Sequence, residues 1–214
     1  VDPPERTFLE SLTRLGGGRV LLIGDFMLDE IVRGVARRMS PDAPVPVLAI
    51  DEDQASVERH PGGAGNVAAC LRELNIEVDL VGLIGVDEAA TYLRQELEKI
   101  GCSTKGLLED PTRPTTVKRS LMGLAQHRHP QKMFRLDIES RHTVSPEIAE
   151  SMLAVIDRAL PDADVVCLED YAKGVCSEDF CRQLVSRCRD HGVPLLVDPA
   201  AIEDYARYEG ATAI

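Results

Sequence analysis

The sequence predicts an α/β domain: a parallel core sheet with helices on both sides, plus a small second sheet assembled from discontinuous pieces. Three observations predict it. Four short, continuous apolar runs have the form of strands buried on both faces. Amphipathic helical patterns alternate with them. Two further stretches carry apolar residues without a helical period and have no place in a parallel core.

Taken in order, residues 19–24 (RVLLIG) form the first core strand and end in Gly24-Asp25. Residues 31–60 scatter Val, Ile and Leu around Pro41, Pro44 and Pro46 and are assigned to the second sheet. Pro61-Gly-Gly-Ala-Gly-Asn66 then opens a helix, and residues 78–84 make the next core strand. Leu93, Leu97 and Ile100 share one face of a helix that Gly101 stops. Residues from about 103 to 137 return to the second sheet, with strands at 115–122 and 132–136 joined by a polar turn over 126–131. Ser145-Pro146 reads as N-cap and first helical residue, with Ile148, Met152, Val155, Ile156 and Ala159 as the buried stripe. Residues 165–168 and 193–197 are the last core strands, and Pro194 falls at a strand start, where a missing donor is tolerated. Between them Ser177 caps a helix whose Cys181, Leu184, Val185 and Cys188 face inward and which Gly192 ends.

The chain has 214 residues, 44% of them hydrophobic, and a formal charge of −12. That size and apolar content support a real core and exclude disorder or a disulfide miniprotein. The acidity excludes nucleic acid as the main partner, so a phosphorylated ligand must be held by a few local cations. No apolar run approaches the roughly 18 residues of a membrane span, and Val1-Asp2-Pro3-Pro4-Glu5 lacks the parts of a signal peptide. A cytoplasmic protein without membrane partners is expected. The six cysteines (70, 102, 167, 176, 181 and 188) form no CxxC pair and read as reduced, buried thiols. Cys176, Cys181 and Cys188 match no common zinc spacing, so no metal site is expected. His127, His129 and His142 lie in polar turns and are expected at the surface.

Three constellations could carry chemistry. Asp25 ends the first strand, the edge at which ligands sit in open α/β sheets; it either binds a polyol or caps a turn. Gly63, Gly65 and Ala68 fit G-x-G-x-x-A, but polar residues 57–61 stand where a dinucleotide site needs a buried strand, and that reading is set aside. What remains is a glycine turn at a helix N-terminus, with Asn66 as cap or ligand. It either accepts a hydroxyl or an anion or packs helix to sheet. A Walker lysine motif is absent from the sequence. Third, Glu169-Asp170-Tyr171-Ala172-Lys173-Gly174 crowds charge at a core strand's end, which costs stability unless the groups are paired or used. Asp198-Pro199 ends the following strand in the same way. Three strand ends carrying aspartate should share one edge.

In this order, Gly24-Asp25 with Asp29, Arg38-Met-Ser-Pro-Asp-Ala-Pro-Val-Pro46, Gly62-Gly-Ala-Gly-Asn66, Asp170-Tyr-Ala-Lys-Gly174 and Val197-Asp-Pro199 resemble the PfkB/ribokinase family of carbohydrate kinases over roughly residues 15–214. The second and fourth stretches are similar to the heptose-7-phosphate kinase branch, the kinase half of bifunctional ADP-heptose synthases, although Ala200 stands where that branch usually has lysine. The resemblance implies a ribokinase-like three-layer α/β/α core with a β-sheet lid that often serves as a dimer contact, hence a homodimer. It implies ATP- and Mg2+-dependent phosphorylation of a sugar hydroxyl, with heptose 7-phosphate at its 1-hydroxyl as the leading substrate. Carried over, Asp25 and Asn66 bind sugar hydroxyls, Gly62 and Gly63 approach the sugar by backbone, and Asp170 is a further substrate-side carboxylate. Arg38, Lys118, Arg135 and Lys173 grip the sugar phosphate through charge-assisted contacts, and Asp198 lies on the cofactor side. The family's Asn-x-x-Glu and Gly-Ala-Gly-Asp motifs, with the catalytic base, would lie beyond Ile214. The expectation is one incomplete kinase domain over 1–214: a substrate half with no catalytic residue, inactive alone. A non-catalytic sugar-binding or oligomerising module and another PfkB kinase, of ribokinase or fructokinase type, remain the alternatives.

Overall fold

The computed structural model describes residues 17–50, 57–124 and 129–214. In chain order its strands are β1 (Arg19–Gly24), β2 (Phe26–Met39), β3 (Pro46–Ala49), β4 (Val57–Gly63), β5 (Glu77–Ile84), β6 (Leu107–Glu109), β7 (Thr116–Leu124), β8 (Gln131–Ile138), β9 (Val165–Glu169) and β10 (Leu195–Asp198). The α-helices are α1 (Ala64–Glu73), α2 (Glu88–Lys99), α3 (Pro146–Ala159) and α4 (Glu178–His191). A parallel sheet runs β10-β9-β1-β5-β6, and a second sheet runs β3-β2-β7-β8, with β4 also paired to β2.

Strand alternation makes the three layers. Leu21 and Ile23 of β1 point to one face and pack with Met152, Ile156, Leu184 and Cys188 of α3 and α4. Val20 and Leu22 point to the other and meet Ala64, Ala68, Leu93 and Leu97 of α1 and α2. Each fully buried Leu or Ile contributes about 1.5–3 kcal/mol. The helices start where the sequence says. Ser145 Oγ accepts from Ile148 N with Pro146 in the first turn, Ser177 Oγ accepts from Phe180 N, and Gly192 closes α4 at φ 70°. The α3 stripe is turned slightly: Leu153 is buried with Met152 and Ile156, whereas Ile148, Val155 and Ala159 are half-buried at its margin.

The second sheet differs from expectation in three ways. It begins at Phe26, immediately after Asp25, and not near residue 31. Phe26, Leu28 and Val32 alternate into buried positions, but Glu30 in the same row hides the pattern; Arg59 and Arg119 bond it from neighbouring strands at 3.1 and 2.6 Å. Residues 57–61, read as a polar approach at the end of the second-sheet segment, belong to strand β4, which is antiparallel to β2, only partly buried, and runs on through the glycine turn to Gly63. Residues 107–109 belong to the core sheet, where β6 pairs with β5, so the second sheet resumes at Thr116 instead of about 103. A three-residue edge strand is too short to show as an apolar run.

All six cysteines are free; Cys102, Cys176, Cys181 and Cys188 are buried, but Cys70 is exposed, because α1 turns Ala64, Gly65 and Ala68 to the core instead. His129 and His142 are exposed, and His127 lies outside the described residues. No described helix is long and apolar enough to cross a membrane. From β1 the chain moves through β5 to β6 with α1 and α2 on one face, then returns to β9 and β10 with α3 and α4 on the other. The carboxyl ends of β1 and β9 therefore flank the topological switch point, where open α/β sheets bind ligands.

Candidate functional site

The site is built outward from the end of β1. Gly24 has φ 145°, and a Cβ there would sit 2.1 Å from the Glu169 carbonyl oxygen, so only glycine lets the two strand ends meet. Asp25 N donates to that carbonyl at 3.0 Å, and the Asp25 carbonyl accepts from Ala64 N, the first amide of α1, at 3.1 Å. One residue thus ties β1 to the ends of β9 and α1.

The Asp25 side chain is 3% exposed. Its Oδ2 accepts from Tyr171 N at 2.8 Å and Lys173 N at 3.1 Å, while its buried Oδ1 has no partner among the described residues. Burial pushes the carboxyl up to about 6, against the downward pull of the two amides. An orphaned acceptor at a switch point is the group that a ligand hydroxyl would satisfy.

The glycine turn lies beside it. Gly63 is the N-cap of α1 at φ 55°, with no side-chain cap, and a Cβ on it would stand 2.5 Å from the Asp25 carbonyl. Asn66 is not the cap; it sits exposed in the first turn of the helix. Gly62 is packed on Asp29, whose carboxyl carbon would lie 2.6 Å from an added Cβ. Burial pushes the Asp29 carboxyl up, while the charges of Lys118, His60, Arg135 and Lys132 oppose the rise.

The chain matches the family description "pfkB family carbohydrate kinase" over residues 43–213. It belongs to the pfkB family of carbohydrate kinases. Similar proteins include Bifunctional protein HldE of Caulobacter vibrioides, 40% identical over 199 residues, covering 92% of this chain and 38% of that protein. Bifunctional protein HldE of Mesorhizobium japonicum is 36% identical over 100% of this chain and 41% of its own length. The chain therefore spans about two fifths of the length of these curated relatives. Among solved structures, a carbohydrate kinase from Agrobacterium tumefaciens superposes with TM-score 0.60 at 18% identity, covering 85% of this chain and 53% of that one. Arabidopsis thaliana ribokinase complexed with ribose and ATP gives 0.56 at 16%, covering 87% and 55%. The ribokinase-like α/β fold is thus present.

Within this pfkB domain the expected residues divide. Asp25, Gly62, Gly63 and the α1 terminus carrying Asn66 converge. Asp170 is adjacent but occupied: Oδ1 accepts from Ala172 N at 2.7 Å and Oδ2 from Tyr208 Oη at 2.6 Å, so it braces its own loop instead of standing free for substrate. Lys173 Nζ is held on Glu139 Oε2 at 2.5 Å with both side chains largely buried. Lys118 Nζ stands 5.3 Å from the Tyr171 ring centroid, and Arg135 forks onto Asp137 at 2.7 and 2.8 Å. Arg38 is not brought in; it is exposed at the far end of β2, roughly 40 Å along an extended strand from Phe26.

Asp198 is exposed and in register with Glu169 across β10 and β9. Burial, the Asp198 charge and a hydrogen bond to Asp198 push Glu169 up to about 7. Sequence reasoning missed Glu139 and Tyr208 as parts of the site, placed Glu169 in the charged cluster without a role of its own, and quoted Asp29 without a role. One signal was available: in a strand, residues at even spacing share a face, so Asp29 stands on the face opposite Phe26 and Leu28 once 26–39 is read as β.

Proposed function

We propose that this chain forms the sugar-binding part of an ATP-dependent carbohydrate kinase acting on a heptose 7-phosphate at its 1-hydroxyl. The observation that carries the reading is the buried, unpartnered Asp25 Oδ1 beside the uncapped glycine turn at the switch point. Such a carboxylate accepts one sugar hydroxyl, and the glycines let the ring approach the backbone. Lys118 and Arg135, on the strands above Tyr171, are the cations we assign to the substrate phosphate; Lys173, already bound to Glu139, assists through its amide on Asp25. The heptose assignment is supported by the motif resemblance and by the HldE relatives.

Mg2+ with ATP fits Asp198 and Glu169 in its chemistry: that ion takes one or two carboxylates plus phosphate oxygens, and here two carboxyls crowd one strand-end pair. Bound there, Mg-ATP would supply the phosphoryl group. Turnover is assigned to the longer enzyme and sugar binding to this chain. A cytoplasmic location with reduced thiols accompanies the reading.

We also propose a homodimer formed through the second sheet. Phe134, Leu136 and Ile138 lie at alternate positions along β8, so they share one face, and they are 55%, 49% and 42% exposed. A second copy of the same face would cover them.

Titration calorimetry on the chain tests the main reading. Saturable binding of D-glycero-β-D-manno-heptose 7-phosphate, abolished or weakened at least about tenfold in Asp25→Asn, is expected; equal affinity in that variant removes Asp25 from the site. Tighter binding of ribose or fructose 6-phosphate would favour a ribokinase- or fructokinase-type substrate.

A further inference from the structure

We infer that Tyr208 is a positioning residue: acting through Asp170, it fixes the 171–173 loop and thereby presents the Asp25 carboxylate to the sugar. The inference rests on the sugar-binding reading above. Tyr208 is fully buried in the core cluster under α4. A buried phenol must find a polar partner, and this one donates to Asp170 Oδ2 at 2.6 Å, a short charge-assisted bond, while Ala200 N donates to it at 3.4 Å. Its neighbour Arg207 donates to the Cys176 carbonyl at 2.9 Å and stands 3.6 Å from the same Asp170 oxygen. The turn at Ala206–Tyr208 therefore braces the strand-end loop from the core side.

The loop needs that brace. Ala172 has φ 56°, a left-handed conformation that a residue with a Cβ rarely adopts. Such backbone persists only where its surroundings hold it. Here three successive amides are fixed by two carboxylates: Ala172 N by Asp170 Oδ1, and Tyr171 N and Lys173 N by Asp25 Oδ2. Asp25 is oriented by the flanking amides only as long as Ala172 stays left-handed. Asp170, gripped by Tyr208, is what keeps it so.

The test uses the chain itself. In Tyr208→Phe, hydrogen exchange at the Tyr171, Ala172 and Lys173 amides should accelerate about tenfold while amides within β1 keep their rates, and heptose 7-phosphate affinity should fall about tenfold. Cys188→Ala, which loosens the same core cluster without a bond to the loop, should leave both readouts unchanged. Asp170→Asn should reproduce the Tyr208→Phe effects, and the double variant should add nothing further, as members of one chain of contacts are non-additive. Additive losses, or exchange that rises uniformly across the sheet, would overturn the inference. A wild-type chain that binds no heptose 7-phosphate overturns the sugar reading, leaving the amide result as a structural brace alone.

Discussion

Gly62 and Asp29 are packed so closely that a methyl group on the glycine would lie 2.6 Å from the Asp29 carboxyl carbon. The obstacle is a side-chain end rather than backbone, so Gly62→Ala should fold and displace the Asp29 carboxylate. Heptose 7-phosphate affinity should drop about tenfold with little change in melting temperature. Gly63→Ala is a different case: it places a Cβ 2.5 Å from a backbone carbonyl at φ 55°. It should destabilise the fold itself by about 1–3 kcal/mol, visible in urea unfolding.

Asp25 makes stability depend on pH. Its folded carboxyl is raised from 3.8 to about 6 by burial. The unfolded chain therefore ionises first, and the native state's advantage is complete below about pH 4 and lost as pH rises through about 6. The upper bound is about 3 kcal/mol. Asp25→Asn, whose amide oxygen can still accept from Tyr171 and Lys173, should flatten that slope. Its chemical-denaturation midpoint at pH 8 should exceed the wild-type value; a midpoint no higher than wild type would contradict the burial argument.

Glu169 and Asp198 should respond to magnesium. With Glu169 raised to about 7 by burial and by Asp198, the pair holds a proton near neutrality that a divalent cation would expel. Carboxyl carbon NMR should show the Glu169 midpoint falling when millimolar Mg2+ is added, and no such movement in Asp198→Asn. An unmoved Glu169 midpoint would remove the metal assignment.

Glu30 is 4% exposed and depends on two arginines. Arg119→Met should leave it with Arg59 alone and cost about 2 kcal/mol, read as a lower urea midpoint at unchanged m-value. Replacing Glu30 and Arg119 together by Met should recover part of the loss, because a buried carboxylate without its partner is the costly state.

Leu136→Asp places a charge in the exposed apolar row of β8. Light scattering should report a dimer for the wild-type chain and a monomer for this variant. A wild-type monomer at high micromolar concentration would end the dimer proposal.

The core was legible because parallel strands buried on both faces leave uninterrupted apolar runs such as 19–24, and because Ser145, Ser177 and Gly192 mark helix ends by local chemistry. The second sheet was less so. Glu30 sits in the buried row of β2 and breaks its alternation, and its neutralisation comes from Arg59 and Arg119, residues 29 and 89 positions away. The site was legible where motif residues meet through backbone, as at Asp25, Gly62 and Gly63. It was illegible where a role depends on long-range pairing. Asp170 read as a free carboxylate because its partner, Tyr208, is 38 residues distant, and Arg38 read as a phosphate ligand because the length of β2 was unknown.

Asp25 alone separates core strand β1 from β2, the strand from which the second sheet is built, and Gly63 joins that sheet's β4 to α1. These two residues join the upper sheet to the lower layers, alongside the connections from β6 to β7 and from β8 to α3. A sugar gripped by both would therefore sit on the seam between the second sheet and the core layers. Recognition and the joining of the two sheets reside in the same two positions.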